Sequence, residues 1–411
     1  MSDYEIMSKG RMIAFTTSAC KPESSALAHS VVKIIQASES RIRVRKAKDQ
    51  VTFEQGVDLV LGDLLKAYAG DSSQWAYRTT GISNFTGEPV GYKTWHRIMP
   101  VLQDLGYVDY HVGTNHQSPF DDGYFAGSAS RFRATKSLIA LAESKGVNLE
   151  LLNEQYHTAL PKSVLRLKSS KHGELQGAVM DFAITPQTQT IIDQVESINE
   201  YLAQQTLTGG VFEGYRRGFN LGDEKGFDWN QGGRLYAVGN SYQHLSGERR
   251  ALMQINGEPA VEVDVSASHL SIYMGEMGHR GSDGIDLYAI DGVSRGAVKQ
   301  YIASSFGLGK LITKWSAEAQ AEVTAFDVAV VREAVCEAIP CLESLADSGL
   351  DWATLQYLEA KALMEAMESL HAKDIPAYGV HDSLIVPVSY HSECRQALTN
   401  AWRVKGWSIA F

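Results

Sequence analysis

The spacing of apolar residues along the chain predicts its regular elements. Over residues 93–105, apolar side chains recur every three or four positions, which predicts an amphipathic helix. Gly106 ends this helix, and residues 107–112 then alternate between apolar and polar side chains, as a half-buried strand does. Residues 186–208 show the helical spacing again and are followed by two glycines. The chain is therefore predicted to mix helices with short strands.

These elements suggest a division of the first half of the chain. Residues 1–54 are predicted to be a mainly helical N-terminal region. Residues 55–145 combine a helix, a strand, a polar loop and a return strand, and this order resembles a winged-helix domain; plain helical packing is the alternative. Residues 146–209 are predicted to be a helical connection to residues 210–411.

Composition and length narrow the class of protein. The 411 residues are 44% hydrophobic and 21% charged, which is typical of globular proteins and excludes disordered, collagen-like and coiled-coil chains. No apolar run approaches the roughly 18–20 residues of a membrane-spanning helix. The first residues lack the basic and apolar regions of a signal peptide. We therefore expect a cytoplasmic protein that does not bind membranes. The four cysteines lack the spacing of a disulfide framework or a zinc site.

The net charge of −10 would argue against a nucleic-acid partner if it were spread evenly. Residues 316–375, however, contain twelve acidic and only three basic residues, so the rest of the chain is almost neutral. Basic residues cluster elsewhere, with aromatic residues between the clusters, a mixture that suits phosphates and unstacked bases. The alternative for each cluster is a solvated helix face. The clusters are Arg41, Arg43, Arg45, Lys46 and Lys48; Arg131, Arg133 and Lys136; and Lys162, Arg166, Lys168, Lys171 and His172, with Tyr92, Trp95, Tyr107, Tyr110, Tyr124 and Phe125 as the aromatic residues.

Four blocks in the second half carry groups suited to phosphoryl transfer. They are residues 232–238, 261–270, 295–307 and 378–387. Asp264 and Asp382 each follow an apolar strand and could hold two Mg²⁺ ions, since hard cations prefer carboxylate oxygens.

The block at 295–307 supplies cations and aromatic rings. Arg295 and Lys299 are one helical turn apart, so both could grip a triphosphate, and Lys299 could protonate the leaving group. Tyr301 and Phe306 would offer flat surfaces to a base.

In their order and residues, these blocks resemble a superfamily: the family A DNA polymerases and the single-subunit phage and mitochondrial RNA polymerases. The resemblance covers about residues 210–411. Gly233-Arg234 is similar to the G-R motif that contacts nucleic acid, Asp264 to the metal-binding aspartate of motif A, and Arg295-x-x-x-Lys299 to motif B. His381-Asp382 is similar to motif C, in which the histidine touches the growing 3′ end and the aspartate binds metal.

Two further positions fit the same resemblance. Asp286-Leu-Tyr288 is similar to the segment before the fingers helix, which implies a nucleotide-binding Tyr288. Gln356 corresponds to a polar residue that faces the duplex. The resemblance implies an α+β right-hand polymerase, with an antiparallel palm sheet, small helical fingers, and a helical thumb within residues 146–209. It also implies two Mg²⁺ ions, with Mn²⁺ as a substitute.

The motifs favour RNA over DNA synthesis. Motif C reads His381-Asp382-Ser383, as in the RNA polymerases, where DNA polymerases have a glutamate third. His269 stands five residues after Asp264, where DNA polymerases carry the glutamate that excludes a ribose. Its imidazole could bond a 2′-hydroxyl or exclude it by bulk, and a packing role is the third reading.

The lead hypothesis is a DNA-directed RNA polymerase, with DNA template, nascent RNA and NTPs as partners. A DNA polymerase without proofreading, and a DNA-binding regulator with an inactive core, are the alternatives. The length before the G-R block resembles the larger subunit of a split phage RNA polymerase, so a second subunit or a DNA-opening factor is expected. Phe306-Gly307 lies one residue closer to Lys299 than the family's aromatic-glycine pair usually does, which leaves open whether Phe306 or Tyr301 stacks on the base.

Overall fold

A computed structural model describes residues 10–39, 43–70, 74–113, 115–117, 125–127, 129–170, 177–281, 283–316, 323 and 325–411. Its α-helices are α1 Pro22–Ser38, α2 Ala47–Gly70, α3 Tyr92–Asp104, α4 Lys136–Ser144, α5 Leu152–Gln155, α6 Pro186–Ala203, α7 Gly247–Arg250, α8 Ser268–Glu276, α9 Arg295–Leu308, α10 Val328–Ala338, α11 Trp352–His371 and α12 His391–Arg403. Short 3₁₀ turns lie at Ile82–Phe85, Leu149–Leu151, Tyr242–His244, Pro340–Asp347 and Val388–Tyr390.

The strands are short and form several sheets. They are β1 Arg11–Met12, β2 Thr17–Ala19, β3 Ala76–Arg78, β4 Val108–His111, β5 Asn115–Gln117, β6 Phe125–Gly127, β7 Ser130–Ala134, β8 Tyr156–Thr158, β9 Leu165–Lys168, β10 Val179–Met180, β11 Leu207–Thr208, β12 Tyr215–Phe219, β13 Gly232–Ala237, β14 Gln254–Ile255, β15 Glu258–Asp264, β16 Tyr378–Val380 and β17 Ser383–Pro387.

The N-terminal part folds around one sheet and one core. The sheet has the order β1-β3-β7-β4, and β7 pairs antiparallel with both of its neighbours. Helix α3 buries Trp95 against Phe132 of β7, with ring centroids 5.1 Å apart. The helix predicted over residues 93–105 and the strand after it are thereby confirmed, because the apolar face that the spacing indicated is the face that is buried.

The structure does not divide the chain at the predicted boundary between residues 54 and 55. Helix α2 runs across that boundary and buries Phe53 and Val57 in the same core. The region predicted to be mainly helical also contains β1 and β2, and β1 joins the sheet through β3. Runs of two and three residues are too short for a periodic pattern to reveal them.

The region predicted to be a helical thumb or linker, residues 146–209, is only partly helical. Helix α6 begins after the capping residue Thr185, whose side chain accepts a hydrogen bond from the backbone N–H of Thr188. Before it, β9 and β10 belong to the sheet β10-β9-β12-β13. Strand β9 forms because Leu165 and Leu167 alternate with polar residues and are buried.

The C-terminal part is built on a five-stranded sheet, β11-β14-β15-β17-β16. Strands β15 and β17 pair antiparallel, and Asp264 lies opposite Ser383. Strands β16 and β17 form a tight hairpin, with His381 and Asp382 in its turn. Helix α11 packs against helix α12, strand β13 and helix α8. It therefore lies beneath the strand ends that carry Asp264 and Asp382. Among the described residues, no helix combines the length and apolar character needed to cross a bilayer.

Candidate active site

The two predicted metal-binding aspartates lie side by side. Asp264 ends β15, and Asp382 immediately precedes its pairing partner Ser383. The Val265 N–H donates to the Asp382 carbonyl at 3.3 Å, which holds the two turns together. Both turns contain a non-glycine residue with left-handed backbone, Ala267 (φ 52°) and His381 (φ 54°). Such strained turns are frequent at functional sites.

The proximity of the two carboxylates changes their proton affinity. Desolvation, followed by the charges of Glu359 and Asp264, raises the pKa of Asp382 to about 6. Desolvation and Glu262 raise the pKa of Asp264, against the opposing effect of Lys299. The negative charge at this position therefore exceeds the positive charge of the neighbouring side chains. A bound cation would reduce that excess.

Glu359, which the sequence reasoning missed, is the buried acid at the centre of this site. It lies on α11 and is only 1% exposed. Arg234 Nε donates to its Oε1 at 3.0 Å, and His269 Nε2 lies 3.3 Å from its Oε2. Burial alone would raise the pKa of Glu359, but His269 and Arg234 outweigh that effect and lower it to about 2.

A signal for Glu359 was present in the sequence. It stands at a position of α11 where the helical spacing calls for an apolar side chain, between Leu355 and Leu363, both buried. Glutamate is seldom fully buried unless it is paired with a cation. An acid in an apolar stripe is thus a marker for a buried ion pair.

Helix α9 faces the aspartates with its exposed side. Ser294 caps this helix by accepting a hydrogen bond from the backbone N–H of Ala297, and Gly309 ends it with φ +70°. The side that faces the aspartates combines cations with small residues: Arg295, Lys299, Ala303 and Gly307. The pair predicted to bind phosphates therefore opens onto the same cavity as the predicted metal ligands.

The two cations of α9 differ in their partners. Arg295 Nε donates to Asp286 Oδ2 at 2.6 Å, in a pair that is largely exposed to solvent. Lys299 is exposed and has no ion-pair partner among the residues that the structure describes. Lys299 is thus the cation free to meet an incoming anion.

The structure does not bring Tyr301 to the cavity. Its side chain is 0% exposed and packs in the core against Trp315, with ring centroids 6.3 Å apart. Phe306 borders the cavity, although it is only 3% exposed and its ring lies 5.4 Å from that of Tyr273. Of the two aromatic residues proposed to stack on a base, Phe306 is therefore the one within reach.

Some of the remaining predicted residues line the same cavity, and others lie outside its lining. The cavity measures about 410 Å³, and Tyr288 and His269 are part of its wall. Desolvation, followed by the charge of Asp382, raises the pKa of Tyr288 to about 12. His381 adjoins Asp382 without lining the cavity, and desolvation and Arg234 lower its pKa. Gln356 lies on α11 about one turn before Glu359, and its buried Oε1 has no hydrogen-bond partner among the described residues.

The donor set fits divalent cations of the magnesium type. Two carboxylates with raised pKa values, beside a third buried carboxylate, offer hard oxygen ligands. Among the described residues, no group of three or more His, Cys, Asp or Glu side chains is arranged to hold a metal ion. Mg²⁺ does not require such a cage, because it usually takes one or two carboxylates plus water and substrate phosphates.

The predicted basic clusters are partly consumed in internal ion pairs. Arg133 Nη2 lies 2.6 Å from Asp109 Oδ2, Arg45 pairs with Glu39, and Arg166 pairs with Glu88. The last pair is buried between the N-terminal and C-terminal parts. Arg41, Lys171, His172 and Tyr124, and the side chain of Phe125, lie outside the described residues.

Comparisons with protein-family models, with curated proteins and with solved structures found no significant match.

Proposed function

We propose that the protein is a template-directed nucleotidyltransferase, specifically a DNA-directed RNA polymerase that uses two Mg²⁺ ions. One observation carries the proposal: Asp264 and Asp382 share a cavity of about 410 Å³ with Lys299 and Arg295. Phosphoryl transfer requires carboxylates that hold metal ions and cations that bind phosphates, with both groups facing the same cavity.

Each part of the site has a task in that reaction. Asp264 and Asp382 would hold the metal ions, which, when bound, lower the pKa of a 3′-hydroxyl and neutralise charge on the phosphates. Lys299 binds the triphosphate and donates a proton to the departing pyrophosphate. Arg295 releases Asp286 and binds the same phosphates. Most of the rate then comes from positioning and charge neutralisation.

The small residues of α9 would accept the base. Ala303 and Gly307 leave the face of the helix open beside Phe306. A flat base can therefore lie against the helix while its phosphates reach Lys299. Arg234, which also lines the cavity, would contact the nucleic acid, with Glu359 fixing its orientation.

His269 is the candidate for recognising the sugar. Its Nε2 lies 3.3 Å from Glu359 Oε2, and its ring lines the cavity. The other ring nitrogen, Nδ1, would hydrogen-bond a ribose 2′-hydroxyl, which can both donate and accept. This favours NTPs, with DNA synthesis as the alternative.

The architecture supports the assignment at a coarser level. The five-stranded antiparallel sheet would be the palm, and α9 would be the core of small fingers. DNA template, nascent RNA and NTPs are then the partners, and a second subunit or a DNA-opening factor would complete promoter use.

The test is extension on single-stranded DNA with Mg²⁺, with NTPs alone or dNTPs alone, with and without a primer. Asp382→Asn is the control for the metal site. We expect product from NTPs that the variant loses. Product from dNTPs alone would shift the assignment to a DNA polymerase, and equal product from Asp382→Asn would refute the active site.

A DNA-binding regulator is favoured by one separate feature. Helix α3 exposes Lys93, His96 and Arg97 on the side opposite its buried face. A regulator would bind duplex DNA through such a face and would need no metal. Duplex binding by both the wild type and Asp382→Asn, without nucleotide incorporation by either, would support it.

A further inference from the structure

A second cavity lies between the N-terminal and C-terminal parts of the chain. It measures about 280 Å³ and, within the described part of the chain, shares no lining residue with the candidate active site. Its walls come from β3 and the turn that follows it on one side, and from β9, β12 and β13 on the other. A pocket of this size suits a small ligand or a single unit of a polymer.

The cavity contains more positive than negative charge. Three arginines surround one carboxylate, Glu88: Arg78 at 3.2 Å, Arg216 at 2.9 Å, and Arg166. Arg78 and Arg216 are 4% and 7% exposed. Buried cations in excess of their counter-charge are unfavourable unless an anion joins them. The cluster is therefore suited to bind a further negatively charged group.

Lys168 adds a cation that is not engaged. It lies at the end of β9 on the wall of the cavity, and within the described ranges no side chain pairs with its ammonium. Desolvation, followed by the positive charge of Arg166, lowers its pKa. An anion at this point would relieve the repulsion between Lys168 and Arg166.

Aromatic rings lie next to these cations. Tyr236 is 43% exposed, and its ring lies against Gly218, where a Cβ would come within 3.0 Å of it. Tyr77 contributes a half-buried ring from β3. Cations beside an open aromatic face form the combination that binds a phosphate together with its base.

The position of Tyr236 links this cavity to the candidate active site. Tyr236 and Arg234 are two residues apart on β13, so they project from the same face of the strand, roughly 6–7 Å apart. A strand of nucleic acid that contacts Arg234 therefore continues naturally toward Tyr236.

We propose that this cavity binds one nucleotide unit, a phosphate with its adjoining base, outside the active site. The phosphate lies among Lys168, Arg166 and Arg216, and the base packs on Tyr236. Two sources share this chemistry: a nucleotide within a bound single strand, which rests on the proposed function, and a free nucleotide, which does not.

The test measures binding by the full chain in EDTA, without metal, so that it is independent of catalysis. The probe is a fluorescein-labelled oligothymidylate, followed by fluorescence anisotropy over a range of salt concentrations. For Lys168→Ala we expect a Kd about three- to tenfold higher and a log K against log salt slope reduced by about 0.7, the value for one phosphate contact on a single strand. Lys33→Ala is the matched control, because it removes an exposed lysine of α1 that lines neither cavity, and it should bind as the wild type does.

A second pair of variants tests the aromatic wall. Tyr236→Ala should weaken binding by about five- to tenfold, through loss of a stacked base, whereas Tyr236→Phe keeps the ring and should bind almost normally. Thermal unfolding of each variant verifies its fold. This pair gives an answer even if Lys168→Ala perturbs the structure.

Calorimetric titration with AMP separates the two sources. AMP binding that Lys168→Ala loses, with oligonucleotide binding unchanged, assigns the cavity to a free nucleotide; the reverse assigns it to the strand. Wild-type affinity of folded Lys168→Ala and Tyr236→Ala for both probes overturns the proposal, even if the wild type synthesises RNA. A wild type that incorporates no nucleotide but binds in a Lys168-dependent way contradicts polymerase activity of this chain alone and leaves the cavity assignment intact.

Discussion

Glu359 is the buried negative charge that influences its neighbours in the candidate site. It is ionised because Arg234 and His269 hold it, and its charge in turn raises the pKa of Asp382. One buried carboxylate thus orients the residue proposed to contact nucleic acid and the residue proposed to contact the sugar. It also makes the neighbouring aspartate more receptive to a cation.

Replacing Glu359 with glutamine should destabilise the fold as well as the site. The variant leaves the Arg234 guanidinium partly buried without its counter-charge, a change that typically costs about 3–5 kcal/mol of unfolding free energy. Urea unfolding followed by circular dichroism measures the loss. Glu368→Gln, on the same helix but exposed and bonded only to Gln194 in the described structure, is the control and should change little. Equal unfolding midpoints for the two variants would contradict a structural role for the buried pair.

The pKa of Asp382 predicts a pH-dependent metal affinity. With a pKa of about 6, Asp382 is protonated below that pH and must release its proton before it can bind a cation. The Mn²⁺ affinity should therefore rise about tenfold per pH unit below pH 6 and level off above pH 7. Electron paramagnetic resonance of free Mn²⁺ between pH 5 and pH 8 measures this. Asp382→Asn should bind weakly at every pH, and a wild-type affinity independent of pH would show that Asp382 is not a ligand.

At the scale of elements, the hydrophobic pattern was a good guide to which segments become helix or strand. It predicted α3 and the strands that precede Asp264 and Asp382, because each has either a helical spacing of apolar residues or a short apolar run. It did not predict the register that places Asp264 opposite Ser383. Register depends on contacts between residues more than a hundred positions apart, and local spacing does not encode them.

The burial of Tyr301 could have been predicted from the geometry of a helix. At 100° per residue, Tyr301 lies about 200° around α9 from Lys299, on the opposite side, whereas Phe306 lies within about 20° of it. Lys299 and Phe306 accordingly border the cavity, and Tyr301 is in the core. The residue types suggested two candidate rings, but only the angle between them and Lys299 distinguishes the two.

The open face of α9 can be tested by filling it. Ala303→Leu adds a side chain at an exposed helical position, so it should block the cavity with little change in stability. We expect nucleotide binding to weaken by at least about tenfold, because a base and a leucine side chain cannot occupy the same space. Titration with a fluorescent NTP analogue measures it. Gly296→Leu is the control, since that position is exposed on the same helix and does not line the cavity; weakening by both variants would indicate a general effect on the helix.

At the scale of the whole molecule, Glu88 joins the two parts of the chain. It follows β3 in the N-terminal part, and Arg216 of β12 donates to both of its oxygens, at 2.9 and 3.0 Å. Burial would raise the pKa of Glu88, but the surrounding arginines lower it. This cluster could not be predicted from the sequence, because Glu88 and Arg216 are 128 residues apart and each resembles an ordinary surface residue.

The lowered pKa fixes the pH range in which this cluster stabilises the molecule. A carboxylate with a lower pKa in the folded state stabilises the fold above its unfolded pKa, near 4.5, and this contribution disappears as the pH falls through the folded pKa. Glu88→Gln should therefore lower the unfolding free energy by about 3–5 kcal/mol at pH 7, since three arginines lose their shared counter-charge. The difference from the wild type should shrink as the pH falls from about 4.5, where the Glu88 carboxyl of the unfolded chain takes up its proton, to the lower pKa of the folded state. Urea unfolding at pH 7, 5, 4 and 3 measures both trends, with Glu150→Gln as the exposed control. If the unfolding free energy of Glu88→Gln is lower than that of the wild type by the same amount at every pH, the glutamine disrupts packing at this junction. The charge of Glu88 is then not what holds the two parts together.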